Sequence, residues 1–301
     1  MQCFIVTTMS ASLIREHLPS PALREFVQAF WTGSFNTLAA NNFAQAVVPN
    51  GHVEVIIHLT DHHCFLFKNN SWTHSPEYTI FGIYTRPYTV TFNHNVRVFG
   101  IRLRPEAFNI VFGTRASEFQ GVFEDMKSVA GRRFADYCDR LRACASDTDR
   151  IALTEQFLLK NISRSFQTRD YVREAAVIIR NNRPAKIADL YEMIAISPRQ
   201  LQREFRARIG VSPKAYLRLA RMNAIQQYLA GRERIDLTAL AYDHGFSDQS
   251  HFIKEFRAFT GTRPGSFLKE RGRFLVNPTP GAELVKGVAE VTRSFRCNSN
   301  P

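Results

Sequence analysis

Two sets of side chains in this 301-residue chain have the types and spacing to grip a polyanion through hydrogen bonds. Arg199, Gln202, Arg203 and Arg206 recur at steps of three and four, and Gln249, Ser250, His251, Lys254 and Arg257 stand roughly 51 residues further on, an offset at which internal repeats are expected. On a helix, a step of about 100° per residue gathers the first set on one side, and Ser250, Lys254 and Arg257 of the second on one side. Guanidinium groups present paired donors to phosphate or base oxygens, and an amide presents a donor and an acceptor together. The chemistry is binding rather than bond making. His52, Glu54 and His58 share one face of a strand pattern but fit no metal-ligand spacing, and there is no nucleophile elbow or phosphate loop. The expectation is no catalytic residue, no metal and no cofactor.

The elements that would position these residues are repeated too. Leu201, Phe205, Gly210, Pro213 and Tyr216 answer to Phe252, Phe256, Gly261, Pro264 and Phe267, and Ser197 answers to Asp248. Ser197 and Asp248 can cap a helix N-terminus, with Pro198 at its first position. Gly210 and Gly261 can stop it, and the prolines three residues on begin the next helix. Leu201 and Phe205, like Phe252, Phe256 and Phe259, make a buried stripe that leaves the basic residues opposite. Short helices at Ile187–Ile194 and Leu237–His244 precede each capped helix, so the reading is a helix-turn-helix twice over. A linker helix from Lys214 to Ala230, with Leu217, Ala220, Ala224 and Tyr228 at helical spacing, joins the two units.

From Thr168 to Arg273 the chain resembles the AraC family of bacterial transcription regulators, on the segments "SPRQLQREF", "IGVSPKAYLRLARMNAI" and "LAYDHGFSDQSHFIKEFRAFTGTRP". Tyr191 stands where that family usually has Ala, and Ala195 where it often has Gly, which predicts a bulky ring at the first helix crossing and a left-handed Ala195. The resemblance implies a cytoplasmic, sequence-specific regulator that binds double-stranded DNA. Arg199 and Arg203 would then offer bidentate donors to guanine, Gln202 would pair adenine, and Ser250 and His251 would adapt to either. Arg206 and Arg257 would hold phosphate, with Gln249 and Lys254 on the same surface. A small-molecule effector, a second copy of the chain and, for an activator, RNA polymerase are the further candidate partners. A ligand-free architectural DNA binder and an enzyme domain fused to a DNA-binding module are the alternatives.

Charge distribution points the same way. The net charge is +12 and the pI about 9.8. Between Arg169 and Arg273 stand 20 Lys and Arg against 11 Asp and Glu, whereas the residues before carry 16 against 14. The helical half is the basic half, as a DNA-binding surface requires. The five cysteines form no CxxC pair and read as reduced thiols, the N-terminus lacks a signal-peptide pattern, and no window is long and apolar enough for a membrane span.

The expected fold class is α+β. Residues 1–165 read as a mainly antiparallel β sensor or dimerisation domain with flanking helices, 168–273 as an all-α DNA-binding domain, and 274–301 as a poorly ordered tail. "SPALREFVQAFW", capped by Ser20, reads as a short helix. From Ala44 to Leu103, short β-branched and aromatic runs predict a sheet or small barrel, with Glu54, Ile56 and His58 on one face of a strand and Val53, Val55 and Ile57 on the other. Gly113 should end a helix begun at Pro105, and two further helices follow, from "VFEDMKS" and from "TDRIALTEQF". The stripe Ile151, Leu158 and Ile162 suits either a lid on the sheet or a dimer contact.

Overall fold

A computed structural model describes residues 12–35, 44–92, 94–121, 123–162, 169–182, 187–229, 232, 235–270, 274–275 and 283–286. Its N-terminal half is built from strands β1 (Ser12–His17), β2 (Val27–Phe35), β3 (Gln45–Val47), β4 (Val53–His58), β5 (Phe65–Lys68), β6 (Ser71–His74), β7 (Tyr78–Phe81), β8 (Tyr88–Thr91), β9 (Val96–Leu103) and β10 (Phe123–Asp125). Two short strands near the C-terminus, β11 (Phe274–Leu275) and β12 (Glu283–Lys286), return to it. They form two sheets, in the orders β10-β7-β4-β9-β2-β1-β12 and β11-β3-β8-β5-β6, antiparallel throughout except for β11 on β3.

Strand periodicity sorts the side chains. Val53, Val55 and Ile57 of β4 face helices α1 (Pro105–Phe112), α2 (Met126–Ala143) and α3 (Asp147–Asn161), where they join Phe108, Phe134 and Leu158 in one core. Ile56 turns the other way, into a second core between the sheets with Trp31, Leu66, Phe81 and Val98. Leu158 is wholly buried in the first core, with Ile151 and Ile162 packed against that core, where α3 meets α1 and α2. Gly113 caps α1 at φ 73°, as its position predicts.

Three local expectations give way to pairing. In "SPALREFVQAFW" only Pro21–Leu23 is helical, a single 3₁₀ turn, and Ser20 makes no side-chain cap. The rest becomes β2, because Val27–Phe35 is claimed on both edges by β1 and β9 and must send Phe30 and Trp31 to opposite cores. Phe123–Asp125 likewise pairs with β7, and the helix starts only at Met126, where the Asp125 carboxylate accepts from the Lys127 amide. Of the tail expected to be poorly ordered, Phe274–Leu275 and Glu283–Lys286 are strands, held by β3 and β1.

The C-terminal half is helical: α4 (Tyr171–Asn182), α5 (Ile187–Ile194), α6 (Pro198–Ile209), α7 (Pro213–Leu229), α8 (Leu237–Asp243), α9 (Gln249–Thr260) and α10 (Pro264–Lys269). The linker α7 buries Leu217, Leu219, Met222, Ile225 and Leu229, more than one face, because it lies between α4, the first unit and the N-terminal half. Tyr228, at helical spacing with Leu217, Ala220 and Ala224, is exposed beneath the Arg232 guanidinium, 4.1 Å from the ring centre. Val48 and Ile83 of the N-terminal half belong to the same core as Phe205, Tyr216 and Phe256. Arg180 pairs with buried Glu106, Arg173 pairs with Glu25, and the Ser117 hydroxyl donates to the Ala207 carbonyl at 2.6 Å.

Candidate functional site

The second helix of each unit starts and stops as its residues dictate. The Ser197 hydroxyl accepts from the Gln200 amide at 3.3 Å, and the Asp248 carboxylate accepts from the His251 amide at 2.8 Å. Gly210 and Gly261 close α6 and α9 in the left-handed region, at φ 99° and 81°. Leu201, Phe205 and Ile209 are buried on one side of α6, and Phe252, Phe256 and Phe259 on one side of α9. With those faces committed to the core, the opposite faces carry the basic residues into solvent.

Arg199, Gln202, Arg203 and Arg206 are all exposed on α6. The Gln202 amide donates to the Tyr191 hydroxyl at 3.1 Å, and Arg203 leans on neighbouring Glu204 with most of its side chain in water. On the second unit Gln249, Ser250, His251, Lys254 and Arg257 are exposed. Gln249 accepts from the Thr238 hydroxyl of α8, and the His251 ring nitrogen meets the Ser247 hydroxyl at 3.2 Å. Ser250, Lys254, Arg257 and Gly261 border an open depression of about 670 Å³ that Arg263 also lines, a residue the sequence reading passed over. Between the units, Lys214, Arg218, Arg221 and His251 line a second groove of about 340 Å³. The linker cations were missed because helical spacing on α7 was read only for its apolar stripe.

The turn of the first unit carries the strain its residue types foretell. Ala195 has φ 54°, and the equivalent turn of the second unit is served by Gly245 at φ 74°. Tyr191 is half-buried against the helical core, its hydroxyl kept in reach of α6.

A concave site of another kind lies between the two sheets: a cavity of about 90 Å³ lined mostly by apolar and aromatic side chains, including Trp31, Ile56, Leu66, Phe81, Tyr84 and Tyr88. Glu54, Arg102 and Asn50 stand at one place on its wall. Arg102 is buried and bonded to Glu54 at 2.6 Å and to Glu16, while Glu54 also accepts from the Trp31 indole at 2.9 Å and from the Asn50 amide at 2.7 Å. Gly100 makes room for that indole, since a Cβ there would fall 2.0 Å from the Trp31 ring. His58 lines the wall further along, kept neutral by burial, which pushes its pKa down to about 4. Cys64 beside it is held protonated, burial raising its pKa to about 11. Among the described residues no group of three or more His, Cys, Asp and Glu is arranged to hold a metal, and no helix is long and apolar enough to cross a membrane.

Comparison with known proteins divides along the same line. Residues 190–270 match a family described as a helix-turn-helix domain, and residues 15–124 match a domain of unknown function, DUF6597. The transcriptional activator NphR of Rhodococcus sp is 30% identical over 158 residues, 48% of this chain and 47% of that protein. The HTH-type transcriptional activator RhaS of Escherichia coli O139:H28 (strain E24377A / ETEC) is 35% identical over 85 residues, 28% of this chain and 30% of that protein. The chain thus spans about half, or less, of the curated relatives it matches. Among solved structures, ToxT from Vibrio cholerae O395 aligns with a TM-score of 0.46 at 14% identity, covering 80% of this chain and 97% of that one.

Proposed function

Since its C-terminal part is an AraC-type helix-turn-helix domain, we propose that the chain is a sequence-specific DNA-binding regulator of transcription whose N-terminal half takes a small-molecule effector. The observation that carries the reading is the pairing of two capped helices, α6 and α9, each burying one side and exposing a basic opposite side, with the linker α7 buried between. Two such helices on one chain can enter successive major grooves on one side of a duplex. Arg199, Gln202 and Arg203 read base edges from α6, Ser250 and His251 read them from α9, and Arg206, Lys254 and Arg257 hold phosphates. Gln249, at the N-terminus of α9, lies on the same surface.

For the N-terminal half, the support is the aromatic-lined cavity between the sheets with its few polar groups, the arrangement in which proteins bind small molecules. The test is retention of the full chain on its own upstream DNA in an electrophoretic assay over a series of salt concentrations. Binding whose log K falls linearly with log salt, and which exceeds binding to random duplex, is the expected result. Absence of retention even at low salt would overturn the reading.

A further inference from the structure

The open depression along α9 does not end with the helical half. Gly261, which closes α9, lies against the loop between β7 and β8, where a Cβ on Gly261 would stand 3.6 Å from the Pro87 ring. Pro87 in turn borders an open groove of about 330 Å³ that Arg86, Lys68, Tyr88 and Phe123 also line. The Lys68 ammonium lies over the Phe123 ring, 4.8 Å from its centre, which keeps it at this groove. Lys254, Arg257 and Arg263 around the first depression are thus continued by Arg86 and Lys68 around the second, across a line where the two halves touch.

All five cations are exposed, and no Asp or Glu lines either depression. Arg142, Arg173, Arg180 and Arg208 are each held by a carboxylate, whereas none of these five makes an ion pair among the described residues. Acidic groups close by in the chain are engaged elsewhere. Glu255 holds Arg218 at 2.6 Å and Asp125 caps α2, while alternation along β10 turns Glu124 away from the side on which Phe123 lines the groove. Cations left together without counter-charges set up a positive field that draws in anions. Strung over an open surface rather than converging on one point, they match a chain of phosphates better than a single small anion.

We propose that the duplex flanking the bases read by α9 runs on over the N-terminal half, where Arg86 and Lys68 hold its phosphates. This rests on the regulator reading above and adds the N-terminal half to the DNA-binding surface. The test is electrophoretic retention of the full chain on its own upstream DNA and on a random duplex of the same length, each over a series of salt concentrations. Each phosphate contact contributes about 0.9 to the slope of log K against log salt. Lys68→Gln combined with Arg86→Gln should therefore reduce the slope by about two on both duplexes. The ratio of the two affinities should stay as it is, because phosphate contacts carry no sequence information. Lys68→Arg combined with Arg86→Lys keeps both charges and should keep the slope of the unmodified chain. Arg132→Gln combined with Arg133→Gln removes two exposed charges from α2, on the far side of the seven-stranded sheet, and should keep it as well. Retention with an unchanged slope in the first pair, or an equal fall in the α2 pair, overturns the proposal and spares the regulator. No retention of the unmodified chain even at low salt removes both.

Discussion

Asn50 and Asn223 join the two halves of the chain at one hydrogen bond, the Asn223 amide of α7 donating to the Asn50 main-chain carbonyl. The Asn50 side chain meanwhile donates to Glu54 on the cavity wall at 2.7 Å. One residue therefore touches both the inter-sheet cavity and the helix that spaces the two helix-turn-helix units. Gly51, at φ 73° and packed on Leu219 and Tyr216 of the same helix, holds the turn that makes this reach.

Asn223→Ala should lower stability to urea by about 1 kcal/mol, the worth of a hydrogen bond at a partly buried boundary. The salt dependence of DNA binding should stay as it is, because Asn223 faces the N-terminal half. A smaller salt slope in the variant would show that this side chain contacts phosphate.

Arg203 and Arg257 should separate by role. Arg203→Ala is expected to cost about 1–3 kcal/mol on the preferred sequence and to relax preference at one base pair. Arg257→Ala should weaken all sequences alike and reduce the salt slope by about one. Binding to specific and random duplexes, each at several salt concentrations, decides it, and identical patterns for the two variants would mean the roles are misassigned.

Ala195→Gly should stabilise the chain by up to about 1 kcal/mol, since Ala195 sits at φ 54°, where an L side chain is strained and glycine is not. The gain should appear as slower amide exchange in α5 and α6, with α8 and α9 little changed. Exchange that slows equally in both units, or not at all, would rule out a local origin.

His58 should make the N-terminal half lose stability with acid. Its Nδ1 faces the Glu77 carbonyl at 3.1 Å and its Nε2 faces the Cys64 amide, so the folded site suits the neutral ring. Burial puts its folded pKa at about 4, below the unfolded value. Protons therefore bind the unfolded chain first, and stability falls as pH drops from about 6.5 to 4, by at most about 3 kcal/mol from this residue. His52, also pushed down by burial, acts in the same direction. Glu16, pushed up by burial, opposes them, its contribution growing as pH falls through its raised pKa. Urea unfolding at pH 7 and pH 5 should differ less in His58→Gln than in the unmodified chain, and an unchanged difference would remove His58 as the cause.

The helical half was legible in the sequence because its signals are local. Ser197, Pro198 and Gly210 lie within one helix length of each other, as do Asp248 and Gly261, and capping, φ freedom and a 3.6-residue stripe act over that span whatever surrounds them. The exposed basic faces followed from the same reasoning, the left-handed Ala195 followed from the family resemblance, and the alternation of β4 was visible because strand period is local as well. What depends on partners distant in the chain was decided by tertiary structure. Val27–Trp31 carries a helical pattern and becomes part of the inner strand β2 because two neighbouring strands supply its backbone hydrogen bonds. The buried ion-pair cluster beside the cavity assembles Glu16, Glu54 and Arg102 from three strands of one sheet, and none of the three is distinguished by its sequence neighbours. Val48 and Ile83 pack with Phe205 and Tyr216, and β11 and β12 return to the N-terminal sheets, for the same reason. Burial and edge pairing are properties of the folded whole, so side chains placed by them take their roles only once the chain has closed on itself.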